Sequence, residues 1–231
     1  MLGGASIRSG GSCLEPYHAG VTVALVVVTF LAVVMLLVGE ARLAPWRRAA
    51  KAAASTGFLA VAVSVGAADG AYGRAVLVAL VLSWLGDLFL TYTSRAAFLA
   101  GLVAFLLGHV AYIAAFVIRG ISPGAVLVAF GGVLIVAAVI WRWLRPHLES
   151  AMLWPVATYV AVISAMVAAA IGTAASDPDP RIVLGAAAFF VSDIAVARNR
   201  FVAPGFVNRA WGLPLYYLGQ VLLALSTSGR A

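Results

Sequence analysis

Eight long apolar runs decide what this chain can fold into, because each is close to the roughly 20 residues that cross a bilayer as a helix. They lie at 20–39, 49–68, 74–92, 96–118, 122–144, 151–173, 181–198 and 210–227. The chain is 64% hydrophobic and 10% charged, whereas soluble domains carry roughly a quarter charged residues. The runs are too continuous and too long for the strands of a membrane barrel. The sequence therefore predicts an all-α polytopic membrane protein with eight transmembrane helices.

Short connections separate the apolar runs and leave no room for a second soluble domain. The first run is too long for the core of a signal peptide and lacks an obvious cleavage site, so we expect it to remain as a span. The predicted organisation is an extracytoplasmic N-terminal tail at 1–19 and a single eight-helix membrane domain at 20–228.

The basic residues fall between the apolar runs and indicate the orientation of the chain. Ten of the 15 lie on one set of alternate connections: Arg42, Arg47, Arg48, Lys51, Arg95, Arg142, Arg145, Arg198, Arg200 and Arg209. The positive-inside rule places this set in the cytoplasm, so both termini are predicted to be extracytoplasmic in a multi-pass protein of the cell membrane. We interpret the net charge of +7 as a topology signal and as contacts to lipid headgroups, not as a nucleic-acid surface.

Four polar side chains interrupt the apolar runs at a similar predicted depth, namely Asp87, His109, Asp193 and Gln220. A charged group that faces lipid there costs about 3 kcal/mol on insertion scales. We therefore expect all four side chains to face the interior of the bundle and to line one cavity. Asp193 is the clearest case, because it lies in the apolar run "AAAFFVSDIAVARNRF" at 186–201.

A weak internal similarity links the two halves of the chain. "LGD" at 85–87 is followed by "LGH" at 107–109, and "VSD" at 191–193 is followed by "LGQ" at 218–220. Four spans in each half would preserve orientation, which favours a possible parallel 4+4 repeat. The two carboxylates would then meet across a pseudo-twofold axis, although chance matches in an apolar background are the alternative.

Each polar residue also has a purely structural interpretation. A buried aspartate can hydrogen-bond neighbouring helices, while Ser83 and Ser192 permit either close helix approach or a ligand. Tyr112 follows His109 by one turn and either lines a pocket or fills the core. Tyr216 and Tyr217 are either interfacial anchors or pocket residues. Two aspartates at matched depth favour a functional site.

Several chemistries are disfavoured by the residues present. Zinc hydrolysis usually requires several histidine or cysteine ligands, and of the three histidines His18 lies in the tail and His147 in a loop. The chain has neither a "GxSxG" nucleophile elbow nor a phosphate-binding glycine loop. A paired-carboxylate site with a histidine and an amide remains.

These motifs together resemble the YhhN family, which includes the lysoplasmalogenases. The resemblance rests on "SWLGDLFL", "FLLGHVAY", "WPVATYVAVISAM", "GAAAFFVSDIAVARNRF" and "YYLGQVLL", and it covers predicted spans 2 to 8. It implies hydrolysis of the vinyl-ether bond of a lysoplasmalogen to a fatty aldehyde and a glycerophospho-alcohol. Lys51 matches the lysine of the family's second span, although alanine replaces the proline that usually follows it, and Arg198 stands where the family tends to be apolar.

The resemblance and the residue pattern together give the candidate site. The candidate catalytic residues are Asp87, Asp193 and His109. The candidate substrate-binding residues are Lys51, Ser83, Tyr112, Ser192, Arg198, Asn199, Tyr216, Tyr217 and Gln220. Arg198, Arg200 and Lys51 are candidates for holding the phosphate of the headgroup.

Carboxylates suit this chemistry because an enol ether hydrolyses by protonation of carbon, which needs one acid and one base close to the developing cation. A related transition state is handled by the carboxylate pair of glycosidases. The expected substrate is a lysophospholipid that enters from the bilayer, with membrane lipids as the other partners and no metal or organic cofactor. A proton-coupled carrier of small molecules or lipids and a purely structural membrane protein are the alternatives that the residues leave open.

Overall fold

A computed structural model describes residues 15–229, so most of the predicted tail at 1–19 lies outside the described residues. This part of the chain forms eight α-helices and contains no strand. The helices are α1 (Glu15–Ala41), α2 (Arg47–Ser64), α3 (Ala71–Phe89), α4 (Arg95–Arg119), α5 (Pro123–Leu144), α6 (Ser150–Ser176), α7 (Pro180–Ala197) and α8 (Phe206–Leu225). A 3-10 turn, Arg145–His147, follows α5, and a π-helical turn, Arg198–Val202, follows α7.

Each predicted apolar run corresponds to one helix, with ends that differ by a few residues. Six of the eight described helices are long and apolar enough to cross a membrane, and α2 and α8 are the other two. The first turns of α2 carry Arg47, Arg48 and Lys51, and the first turn of α8 carries Asn208 and Arg209. The chain is therefore an all-α, multi-pass membrane protein.

Neighbouring helices in the chain pack in pairs: α1 with α2, α3 with α4, α5 with α6, and α7 with α8. Glycine allows α7 and α8 to approach closely. A Cβ atom on Gly219 of α8 would lie 2.8 Å from the carbonyl oxygen of Gly185 on α7. The pairs are joined by α4 packing on α6 and α2 packing on α8.

A cluster of aromatic rings occupies the middle of the bundle. The Phe189 ring lies 5.3 Å from Tyr216, 6.1 Å from Phe105 and 4.6 Å from the His109 imidazole, measured between ring centroids. Helix α5 lies at the periphery, and Ala137 and Leu144 are its buried residues.

One end of the bundle is held together by charged groups. Arg119 at the end of α4 donates to Asp177 at 3.0 Å, to Asp179 at 3.2 Å and to the Ser226 carbonyl at 3.1 Å. Burial opposes ionisation of Asp179, but hydrogen bonds from Arg181 outweigh it and hold the pKa of this carboxyl below its ordinary value. This end contains the last turns of α4, α6 and α8, and the cavity described next lies at the opposite end.

Candidate active site

A cavity of about 360 Å³ lies at the end of the bundle that contains the α1–α2, α3–α4 and α7–α8 connections. Apolar residues of α4, α5 and α6 form much of its wall, including Phe105, Ile140 and Ile163. Both Asp87 and Asp193 border this cavity. The structure therefore brings the two predicted aspartates to one space inside the bundle.

Asp87 of α3 is buried and contacts three side chains from α2 and α8. Its Oδ1 lies 3.1 Å from the Lys51 ammonium nitrogen. Its Oδ2 accepts hydrogen bonds from Ser55 and Tyr216, both at 2.7 Å. Lys51 and Ser55 are one helical turn apart, so they present both groups on the same face of α2. One cation and two hydroxyl donors therefore supply the partners that a buried carboxyl requires.

Asp193 of α7 contacts a tyrosine and a histidine from α6 and α4. Its Oδ2 accepts a hydrogen bond from the Tyr159 hydroxyl at 2.7 Å and lies 3.4 Å from His109 Nε2. His109 Nε2 is also 3.0 Å from the Tyr159 oxygen. With the Tyr159 proton directed at the carboxylate, Nε2 must be the donor to the tyrosine oxygen. The three groups therefore form a continuous hydrogen-bonded chain.

Within the described residues, the two carboxylates have different hydrogen-bond partners and are not bonded to each other. Each has one partner from the opposite half of the chain. Tyr216 of α8 reaches Asp87 of α3, and His109 of α4 reaches Asp193 of α7. A buried carboxylate requires polar partners, and the packing of the helices gives Asp87 and Asp193 different sets of them.

Several predicted site residues lie in the bundle core and do not border the cavity. His109 and Gln220 belong to this group, so the prediction that all four polar groups line one cavity is wrong for these two. The Tyr112 hydroxyl donates to Gln220 Oε1 at 2.6 Å, and this bond links α4 to α8. Tyr217 lies 3.0 Å from Ser55 and so supports a partner of Asp87.

Three buried polar atoms in this core have no hydrogen-bond partner within the described residues. They are Ser83 Oγ, His109 Nδ1 and Gln220 Nε2. Ser83 belongs to the core and not to the cavity wall, whereas Ser192 borders the cavity. The Ser192 hydroxyl donates to the Phe189 carbonyl at 2.7 Å.

The cavity rim carries basic side chains of two kinds. Arg209 is already paired with Glu40 at 2.7 Å. Arg48 and Arg200 also border the cavity and have no carboxylate partner in the part of the chain that the structure describes. Their guanidinium groups lie over the rings of Tyr92, at 5.7 Å, and Phe98, at 4.4 Å. These two arginines are thus basic side chains at the cavity that are not neutralised by a carboxylate of the described residues.

The side chains of Arg198 and Asn199 form hydrogen bonds within the connection between α7 and α8. Arg198 donates to the Asn208 side chain, and its side chain does not border the cavity. Asn199 borders the cavity, but its Oδ1 accepts a hydrogen bond from the Gly205 amide at 3.0 Å. The structure thus gives both residues a role in shaping the α7–α8 connection.

Sequence reasoning missed three residues of this site: Ser55, Tyr159 and Asn208. Ser55 could have been found because it follows Lys51 by four residues, which places it on the same helical face. Tyr159 is the one tyrosine of α6 and could have been assigned to the aspartate layer by its depth. Asn208 gives no such signal, because its partners come from the fold of the connecting turn.

This arrangement can perform acid–base chemistry beside an apolar wall. One carboxylate is fixed by a cation, and the other is connected to a histidine through a tyrosine hydroxyl. The first can stabilise a developing positive charge, and the second can exchange a proton with a bound molecule.

Comparisons with known proteins place the chain in a family. Lysoplasmalogenase TMEM86A of Bos taurus is 32% identical over 159 residues, which cover 65% of this chain and 64% of the relative. Lysoplasmalogenase TMEM86B of Homo sapiens is 30% identical over 158 residues, which cover 68% of this chain and 65% of the relative. A lysoplasmalogenase of Mycobacterium tuberculosis is 32% identical over 200 residues, which cover 84% of this chain and 72% of the relative.

The match to the TMEM86A relatives thus spans less than two thirds of their length. No solved structure matches the chain. The model of the YhhN family matches residues 46–227, which include every helix from α2 to α8. The chain belongs to the YhhN family.

Proposed function

We propose that this protein hydrolyses the vinyl-ether bond of lysoplasmalogens and releases a fatty aldehyde and a glycerophospho-alcohol. The observation that carries the proposal is the position of Asp87 and Asp193 at one cavity with apolar walls and a basic rim. The names of the relatives, which are lysoplasmalogenases, agree with this chemistry. No observation on the described residues favours the proton-coupled carrier.

All eight helices cross the bilayer in this proposal, with both termini outside. Helices α2 and α8 are less apolar than the others because they carry the partners of Asp87, among them Lys51 and Tyr216. The positions of the helix ends agree with helices that cross the bilayer in alternating directions. The helices α2, α4, α6 and α8 all start at the end of the bundle that holds the cavity and finish at the end that holds Arg119.

A parallel 4+4 repeat is part of the same proposal. Helix α4 packs on α6, and the corresponding pair in the other half is α8 on α2. Asp87 takes its partners from α2 and α8, and Asp193 takes its partners from the corresponding α6 and α4. This exchange of partners between halves supports a pseudo-twofold relation.

The lipid enters from the bilayer with its headgroup at the rim. Arg48 and Arg200 bind the phosphate, because within residues 15–229 neither has a carboxylate partner. The vinyl ether then lies next to the aspartates, and the hydrocarbon chain contacts the apolar wall. The positions of these groups match the order of polarity along a lysophospholipid.

The reaction begins when Asp193 transfers a proton to the vinyl carbon that is not bonded to oxygen. This gives an oxocarbenium ion, whose charge the Asp87 carboxylate stabilises. Water adds to the carbon bonded to oxygen and returns a proton to Asp193, which yields a hemiacetal. The C–O bond then breaks, the hydroxyl proton passes to the leaving oxygen, and aldehyde and alcohol are formed. Tyr159 and His109 position Asp193 and exchange protons with it.

Purified protein tests this proposal with two substrates that share a headgroup and a chain length. We expect a lysoplasmalogen to release aldehyde and its saturated alkyl-ether analogue to bind without cleavage, because only the vinyl ether can share positive charge with oxygen. The proposal would be contradicted if folded protein released no aldehyde from the lysoplasmalogen, or if it cleaved both lipids.

A further inference from the structure

A second cavity, of about 250 Å³ and without polar lining atoms, lies between α5, α6 and α7. It is lined by Val133, Val136, Val167, Ala187, Phe190 and Val191. We call it the side cavity. Nothing in the proposed acid–base chemistry uses it, since Asp87 and Asp193 border only the first cavity.

Phe190 borders both cavities, and no other residue of the side cavity also borders the first one. Phe190 precedes Asp193 by three residues, which places both side chains on the same face of α7, about one turn apart. A molecule at Asp193 therefore has Phe190 as its next neighbour along the helix.

The other two helices continue from one cavity to the next in the same way. On α6, Ile163 borders the first cavity and Val167, one turn later, borders the side cavity. On α5, Ile140 borders the first cavity and Val136 and Val133 border the second. Seven residues of helix, from Ile140 to Val133, correspond to about 10 Å. The two cavities thus follow one another along a single crevice, and the second lies farther from the basic rim.

Helix α5 leaves this crevice accessible from the lipid. It packs on α6 and contacts the π-helical turn after α7, whereas its contact with α7 itself is slight. Val136 and Val191, on opposite walls of the side cavity, are both partly exposed. An apolar chain can therefore enter between α5 and α7 without crossing a polar surface.

We propose that the side cavity binds the distal part of the substrate's hydrocarbon chain and so sets the preference for chain length, with Phe190 separating it from the reacting bond. This inference rests on the proposed function and adds a binding site to it. The occupant is an unbranched hydrocarbon chain because the cavity has no polar lining and continues from the site of the vinyl ether. Each methylene that leaves water contributes to binding, so a longer chain gains affinity there.

Ala187→Phe fills the side cavity and tests the inference directly. Two lysoplasmalogens with the same headgroup are compared, one with an octenyl chain that ends near Phe190 and one with an octadecenyl chain. We expect kcat/KM for the octadecenyl substrate to fall by about tenfold or more, while kcat/KM for the octenyl substrate changes by less than about twofold. Val136→Phe narrows the cavity from α5 and should give the same selective loss.

Leu184→Phe is the matched control on α7, because Leu184 is exposed and does not border either cavity. Leu184→Phe should leave the ratio of kcat/KM for the two substrates unchanged in the same detergent. The inference would be overturned if the ratio of kcat/KM for the two substrates were unchanged in folded Ala187→Phe and Val136→Phe. Aldehyde release by the wild type would still support the proposed function in that case.

Binding of the saturated alkyl-ether analogues separates this inference from the proposed function. We expect the wild type to bind the octadecyl analogue more tightly than the octyl analogue, and Ala187→Phe to lose most of this difference. This result would support the chain site even if no aldehyde is released. Equal discrimination by the wild type and Ala187→Phe would overturn the chain site whatever the activity.

Discussion

Lys51 lies 3.1 Å from Asp87 inside the bundle, and this ion pair defines what the carboxylate can do. Removal of one partner from a buried pair leaves an uncompensated charge, which costs several kcal/mol. In the proposed mechanism the Asp87 carboxylate therefore stabilises the cation that forms beside it. Within residues 15–229, Asp193 has no lysine or arginine at such a distance and contacts His109 instead, and we propose that it transfers the proton.

Asp87→Asn and Asp193→Asn should each abolish most aldehyde release. The amide keeps the size of the side chain, but it cannot stabilise a cation as an anion does or transfer a proton. We expect losses of at least about 100-fold in kcat, measured as aldehyde formed by protein that elutes as a single folded species in detergent. Asp87→Asn should also lower the Tm more than Asp193→Asn, because it leaves Lys51 unpaired.

Asp69→Asn serves as the control for these variants, since Asp69 is exposed in the α2–α3 connection. It should retain the activity of the wild type. Retention of most activity by folded Asp87→Asn or Asp193→Asn would remove that aspartate from the proposed mechanism.

At the scale of single residues, charge in an apolar run is what made the site predictable. A carboxylate in a membrane helix has few tolerable positions, so Asp87 and Asp193 could be assigned to an interior cavity. Tyr159 and Ser55 carry no charge and give a weaker signal, because hydroxyl groups are tolerated at many helix contacts. The sequence also did not predict that the two aspartates have different hydrogen-bond partners, since this depends on which helices pack together.

Helix pairing is what brings these partners to the aspartates. Gly219 and Gly185 let α7 and α8 approach so closely that the carbonyl of Gly185 would lie 2.8 Å from an added Cβ on Gly219. Tyr216 lies one turn before Gly219 and donates to Asp87. The position of α8 therefore controls a hydrogen bond of the candidate site.

Gly219→Ala should displace α8 from α7, because the neighbouring atoms are backbone and cannot rotate away. We expect a loss of stability of about 2 kcal/mol and a fall in aldehyde release that exceeds the loss of folded protein. Differential scanning fluorimetry and specific activity measure the two effects. Gly131→Ala on α5, where no atom lies within 4 Å of the added Cβ, should be neutral or slightly stabilising. Equal behaviour of the two variants would contradict the close-packing argument.

At the scale of elements, hydropathy was enough to predict the number and approximate bounds of the helices. It also distinguishes α2 and α8, which are less apolar than the other six helices. The charges that weaken their hydropathy, such as Lys51 and Arg209, are those that contact the aspartate or the cavity rim. The hydropathy of a helix is thus lower where the helix contributes charged residues to the candidate site.

The whole molecule has a cavity at one end and a cluster of charged groups at the other. Asp179 is central to this cluster, because it joins Arg119 of α4 to Arg181 of α7. Because the pKa of Asp179 is lower in the folded protein than in the unfolded chain, its ionised form stabilises the fold. This contribution is complete above the ordinary pKa of about 3.9 and is lost as the pH falls through the lowered folded-state value.

Asp179→Asn should therefore destabilise the protein at neutral pH, by about 2 kcal/mol, without changing the reaction at the opposite end. The difference in Tm between wild type and variant should shrink as the pH is lowered below about 3.9. Thermal unfolding in detergent across this range measures the effect. A difference in Tm that is independent of pH would show that the charge of Asp179 is not what stabilises this end.

The relation between the two halves of the molecule was only partly predictable from the sequence. The "LGD" and "VSD" motifs indicated matched positions for Asp87 and Asp193. They did not indicate that each aspartate takes a partner from the other half, because tertiary pairing leaves no periodic signal in an apolar background. The basic face at one end was predictable, since loop charges follow a rule that does not depend on packing.

The central claim is that a carboxylic acid protonates carbon, and turnover in heavy water tests it most directly. Aldehyde released from a lysoplasmalogen in D₂O should carry one deuterium on the carbon next to its carbonyl, and its formation should be slower than in H₂O. The product is reduced at once to the alcohol, and unlabelled aldehyde incubated in the same D₂O must remain unlabelled. Aldehyde without deuterium at that carbon would contradict proton transfer from Asp193 to carbon.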